Sequence, residues 1–163
     1  MDESTRMTMD EVIAFVEVLP RTLSLRSQPG DGSPAISWGD VFFYYAPDGV
    51  VPAVQPFATI VTKDYPGDEG SRLDRPGAFR VNLAAGTAAF RRWAGREPRD
   101  PATDDLDPAT DDAVFPHPVY GTLGWLSVVN PGPATSEPLR DLLRSAHRAA
   151  RRRRERRAGT RSS

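Results

Sequence analysis

Lys63 is the only lysine in the chain. It is followed by Asp64 and Tyr65 where an apolar segment gives way to a polar one that carries Asp74, Arg75 and Arg80. One ammonium and two guanidinium groups close in sequence are donor chemistry suited to a phosphate or a carboxylate. The same residues also read as a Lys–Asp surface pair, which contributes little, and Asp74-Arg75-Pro76-Gly77 as ordinary turn chemistry. His117 stands between Pro116 and Pro118, three residues before Tyr120. A histidine so restricted would shuttle protons near neutral pH, or would be held in a structural hydrogen bond. The other histidine, His147, lies far off in sequence, and the carboxylates between Asp100 and Asp112 lack the glycine and final glutamate of a calcium loop. No metal and no cofactor is therefore expected. No serine or cysteine motif marks a nucleophile, and no glycine run matches a phosphate loop or dinucleotide fingerprint.

The last 24 residues carry ten arginines against Asp141 and Glu155, so this segment bears +8 while the rest bears −9, and a net charge of −1 conceals the segregation. Arg148, Arg151, Arg152, Arg153, Arg154, Arg156 and Arg157 would neutralise phosphates of a nucleic acid in a salt-dependent way. Alternatively they form a solvated helix end whose charge complements the helix dipole. The expected partners are thus an anionic ligand or a nucleic acid, with no membrane. A chain with no cysteines suits a reducing cytoplasm, and no apolar run reaches the roughly 20 residues of a bilayer span.

The elements that must position these groups follow from periodicity. Residues 1–7 read as a disordered leader. Thr8 and Glu11 form a capping box, and Met9, Val12, Ile13 and Val16 share one helical face that ends at Pro20. Strands are expected at 23–27, 36–38, 41–46, 57–63, 79–83 and 124–129, rich in aromatic and β-branched residues. A short helix at 87–94 should bury Phe90 and Trp93 and stop at Gly95. The hexapeptide Asp-Pro-Ala-Thr-Asp-Asp occurs at 100–105 and again at 107–112, marking an acidic loop insertion over 97–116 that should be solvated. The last helix starts near Ser136 with Leu139, Leu142, Leu143, Ala146 and Ala150 as its stripe; 151–163 is an Arg-rich extension whose stretch from Arg151 to Arg157 should project into solvent. The aromatic set Trp38, Phe42, Phe43, Tyr44, Tyr45, Phe57, Phe79 and Trp125 reads as core or as the lining of an apolar pocket. Residues 8–150 therefore read as one α+β domain, a mainly antiparallel sheet with N-terminal, middle and C-terminal helices packed on it.

Trp38-Gly39-Asp40-Val41-Phe42-Phe43-Tyr44-Tyr45, the run from Pro56 to Asp68, Leu73-Asp74-Arg75-Pro76-Gly77, and the run from His117 to Trp125 continuing to Asn130-Pro131 resemble a bacterial family catalogued as domain of unknown function 6194. The resemblance spans roughly residues 7–150. More remotely, the element order is similar to the MmcQ/YjbR-like proteins, which implies a double-wing, CyaY-like α+β fold and a DNA-binding label. Three functions follow: a non-enzymatic module binding a ligand or partner, a nucleic-acid-associated protein using the arginine tail, and an enzyme with a site near His117 and Lys63.

Overall fold

The computed structural model describes residues 6–101 and 106–161. Helix α1 (Met9–Glu17) opens as the capping box predicts. The Glu11 N–H donates to Thr8 Oγ1 and the Thr8 N–H to Glu11 Oε1, each at 3.1 Å. Met7, assigned by sequence to the leader, is instead buried in the core, and its N–H donates to Pro131 O at 3.0 Å. The first five residues of the expected leader lie outside the described residues.

Strands β1 (Thr22–Arg26), β2 (Val41–Tyr45), β3 (Ala58–Val61) and β4 (Arg80–Leu83) form an antiparallel meander. Helix α2 (Thr87–Ala94) ends at Gly95, whose φ of 72° is the left-handed cap that glycine adopts without steric cost. Strands β5 (Val114–Pro116) and β6 (Leu126–Val129) complete one sheet in the order β1-β2-β3-β4-β6-β5, every pair antiparallel. Helix α3 (Ser136–Arg161) closes the chain; its 26 residues span about 39 Å at 1.5 Å per residue.

Residues alternate across the sheet with period two. Val41, Phe43, Ala58, Ile60, Val81, Leu83, Leu126 and Val128 face the helices. There they pack with Val12, Ile13 and Val16 of α1, Phe90 of α2 and Leu139, Leu142, Leu143 and Ala146 of α3. On the opposite face, Val61, Leu73, Ala78, Phe115 and Val129 make a smaller apolar cluster under the loop that joins β3 to β4.

Four expectations need correction. Residues 36–38 belong to a 3-10 turn over Ala35–Ser37, not a strand, because Pro34 opens the segment and Ser37 Oγ closes it on Pro34 O. Trp93 is 38% exposed, since α2 turns only Phe90 fully inward. The β4 segment, expected half-buried, is buried on both faces. Finally, the acidic insertion is not all solvated loop. Ala102 to Asp105 lie outside the described residues, but the second hexapeptide runs into β5, an edge strand that the sequence reading missed. Asp112, at φ 57°, accepts from the N–H groups of Gly132, Ala134 and Thr135 and from Thr135 Oγ1. Burial raises its carboxyl, yet these donors, Thr135 Oγ1 first, bring it below the usual carboxylate range.

Candidate functional site

Lys63, Tyr65, Arg80 and His117 gather in two adjoining clusters on the side of the sheet away from the helices. Asp40, fully buried, centres the first. Its Oδ1 accepts from the Thr62 N–H and Thr62 Oγ1, both at 2.9 Å, and from Lys63 Nζ at 3.0 Å. Its Oδ2 accepts from the Tyr65 hydroxyl, whose ionisation is driven upward by burial, then by that hydrogen bond and the carboxylate charge. Lys63 Nζ also donates to Trp38 O at 2.7 Å. Asp40 was missed as a site residue, although the quoted Trp38-Gly39-Asp40 motif contained it; an aspartate just ahead of a strand looks like turn chemistry.

Arg80 centres the second cluster. It is 2% exposed, and its guanidinium donates to both oxygens of Asp68 at 3.0 and 2.6 Å, to Ser71 Oγ at 3.1 Å and to Asn82 Oδ1 at 2.8 Å. Asn82 in turn joins Thr59 and Ser127, one polar row across β3, β4 and β6. Burial pushes the Asp68 carboxyl up, but the Arg80 hydrogen bonds and charge, aided by His117, bring it below its ordinary value. A tight turn, Tyr65-Pro66-Gly67-Asp68, links the clusters: the Asp68 N–H donates to Tyr65 O at 2.8 Å and Gly67 takes φ 83°.

His117 is also buried. Its Nδ1 accepts from the N–H groups of Val119 and Tyr120, each at 3.0 Å, and the Tyr120 ring stands 4.9 Å away, centroid to centroid. Those acceptor roles assign the neutral ring's proton to Nε2, which meets the Arg80 guanidinium at 3.3 Å. Two donors face each other there. Burial, then the Arg80 charge, push the imidazole down to about 4, with Asp68 opposing.

The remaining predicted residues do not join this centre. Asp64 Oδ1 accepts from the Leu73 N–H at 2.9 Å and shapes the loop. Asp74 is exposed. Arg75 turns outward to Ala109 O at 3.4 Å and Asp111 Oδ1 at 3.5 Å, while also donating to Arg72 O and Ser71 O. Lys63, Arg75 and Arg80 therefore do not converge as an anion clamp.

A cleft of about 460 Å³ lies elsewhere, where β2 and β4 end and β3 and β6 begin. Tyr45, Phe57, Ala84, Leu123, Trp125 and Val54 line it from the sheet side; Ala150, Arg153 and Arg157 line it from α3. His147 supports its floor, edge-on to Tyr45 and Phe57 at 5.5 and 5.7 Å, with Nε2–H donating to Pro20 O at 2.6 Å. Ala150, Arg153 and Arg157 fall at i, i+3 and i+7, so they extend the helical face of Leu139, Leu143 and Ala146. Continuing that spacing past Ala150 finds the two arginines, which stay exposed as their charge predicts while lining the cleft.

The arginine tail is thus divided. Arg151 pairs with Glu155 at 2.9 Å and Arg154 with Asp48 at 3.7 Å, tying the helix back to the loop between β2 and β3. Arg148 donates to Ser145 Oγ, and Arg152, Arg153, Arg156 and Arg157 are exposed. Arg153 and Arg157 meet no carboxylate among the described residues. Desolvation, then Arg157 and Arg156, hold the Arg153 guanidinium below its ordinary range.

Among the described residues no group of three or more histidine, cysteine or acidic side chains is placed to hold a metal, and no helix is long and apolar enough to cross a membrane. The model of a family of unknown function, DUF6194, matches residues 7–159. No curated protein and no solved structure matches the chain, so the likeness to the MmcQ/YjbR-like fold rests on element order alone.

Proposed function

The chain belongs to DUF6194, a family of unknown function, and from its geometry we propose that it is a non-enzymatic module binding a small anionic ligand with an apolar or aromatic body. The observation that carries this is the pairing of an aromatic-lined cleft with Arg153 and Arg157 at its mouth. Like charges one helical turn apart repel, and Arg156 adds to that repulsion at Arg153. A carboxylate, sulfonate or phosphate between the two guanidinium groups relieves that repulsion through charge-assisted hydrogen bonds. The rings of Tyr45, Phe57 and Trp125 would take the apolar body.

Binding is favoured over catalysis because the candidate catalytic groups are committed. Both nitrogens of His117 face donors, and Lys63 and Tyr65 are held by Asp40. The nucleic-acid reading is weaker because Arg151 and Arg154 have carboxylate partners and Arg153 and Arg157 line the cleft. The cysteine-free composition supports a cytoplasmic setting.

The test is calorimetric titration with 1-naphthoate and with its uncharged counterpart, 1-naphthalenemethanol. Saturable binding of the carboxylate is expected, weakened at least tenfold in the Arg153→Ala/Arg157→Ala variant, with the alcohol binding poorly to both. Equal affinity for acid and alcohol, or an undiminished variant, would overturn the reading.

A further inference from the structure

We propose that the cleft end of the sheet docks on an anionic bilayer surface, with the loop between β2 and β3 entering the headgroup region and the end of α3 contacting phosphates. Single exposed apolar residues are ordinary on any protein. Here they converge. Val50 is 63% exposed and Val51 and Val54 each 42%, all on one loop, and Leu123, from a turn some seventy residues away, is 70% exposed. Val54 and Leu123 belong to the mouth of the same cleft as Arg153 and Arg157. The carboxylates beside this patch, Asp48 and Glu155, are already paired with Arg154 and Arg151, so the patch offers apolar side chains beside Arg153 and Arg157, which meet no carboxylate among the described residues.

Charge complementarity selects the occupant. Apolar tips flanked by arginine match a surface that is apolar within and anionic at its face. Since no described helix can cross a membrane, the attachment would be peripheral and reversible. Each arginine near an anionic leaflet strengthens partitioning about fivefold, and salt screens that gain. The inference goes beyond the ligand reading, because Val50 and Val51 do not line the cleft.

The experiment is co-sedimentation of the full chain with vesicles of phosphatidylcholine alone and of phosphatidylcholine with phosphatidylglycerol. The expected result is pelleting with the anionic vesicles, reversed by high salt, and little with the neutral ones. The Val50→Glu/Val51→Glu variant should lose at least tenfold in partitioning while binding 1-naphthoate as the parent does, which separates failure of this inference from failure of the ligand reading. A parent that stays in the supernatant with anionic vesicles overturns the proposal, and so does a soluble, folded Val50→Glu/Val51→Glu variant that pellets undiminished. A requirement for an added protein before any pelleting would overturn it too.

Discussion

Of the two roles open to His117 from sequence, its surroundings account for the one opposite to proton shuttling. An imidazole whose Nδ1 accepts two backbone N–H groups and whose Nε2 faces a guanidinium gains nothing from a second proton. Protonation would set a third N–H against two others and a cation against Arg80. The folded state therefore holds His117 neutral down to about pH 4, whereas the unfolded chain takes up the proton near pH 6.5. The sign follows: above 6.5 neither state binds the proton and stability is full. As pH falls from 6.5 to 4 only the unfolded state binds it, and stability drops by roughly 3 kcal/mol. Asp68 acts in a lower window, since its depressed carboxyl loses stabilisation only as pH falls below the ordinary carboxylate range. Urea unfolding midpoints at pH 7 and pH 4.5 check this. His117→Asn, whose side-chain oxygen can still accept from Val119 and Tyr120, should flatten most of the difference between the two pH values. A slope unchanged in that variant would assign the acid loss to other groups.

At the level of elements, the strand edge that sequence reading missed is anchored by a single carboxylate. Asp112 holds the turn before α3 through four hydrogen bonds, and a Cβ on Gly132 would stand 3.1 Å from Asp112 Oδ2. Gly132→Ala should displace that carboxylate and cost about 2 kcal/mol, and Asp112→Ala about 3 kcal/mol because left-handed backbone strain adds to the lost bonds. Both act through one group, so the double variant should cost little more than Asp112→Ala alone; additive losses in urea denaturation would refute the shared anchor. The same region marks where the sequence was legible and where it was not. The capped helix α1, the alternating strands and the Leu139–Ala146 stripe of α3 were readable because short-range period and capping decide them. Strand β5 was not, because three residues ending in Pro116 carry no period and its pairing with β6 is a long-range event. The Arg80–Asp68 and Lys63–Asp40 partnerships were likewise hidden: residue types announced cations, but the loop from Tyr65 to Asp68 decides which carboxylate meets which. The cleft was half visible: its aromatic rings were named, but its arginines, exposed as expected, were not placed against them.

For the whole molecule, the central question is whether the arginine-bearing end of α3 belongs to the folded unit or is attached to it. The core face of the helix ends with Ala146, and Ala150 is only partly buried. Beyond it the ties to the body include the Arg154–Asp48 pair and the lining of the cleft by Arg153 and Arg157. Exposed pairs contribute from nothing to about 1 kcal/mol, and arginine stems lining the cleft add some apolar cover. A chain ending at Ala150 should therefore unfold in one cooperative step with an unchanged denaturant slope, at a midpoint lowered by about 1–2 kcal/mol of stability. It would lose a net charge of +6 from residues 151–163, leaving an acidic body with no guanidinium at the cleft. Binding of 1-naphthoate should then fall as it does in the Arg153→Ala/Arg157→Ala variant while folding persists. A truncated chain that loses cooperativity would make the last turns part of the core. One that binds 1-naphthoate undiminished would separate the cleft from the charge segregation, which in the intact molecule sets cations and aromatic rings on opposite sides of one opening.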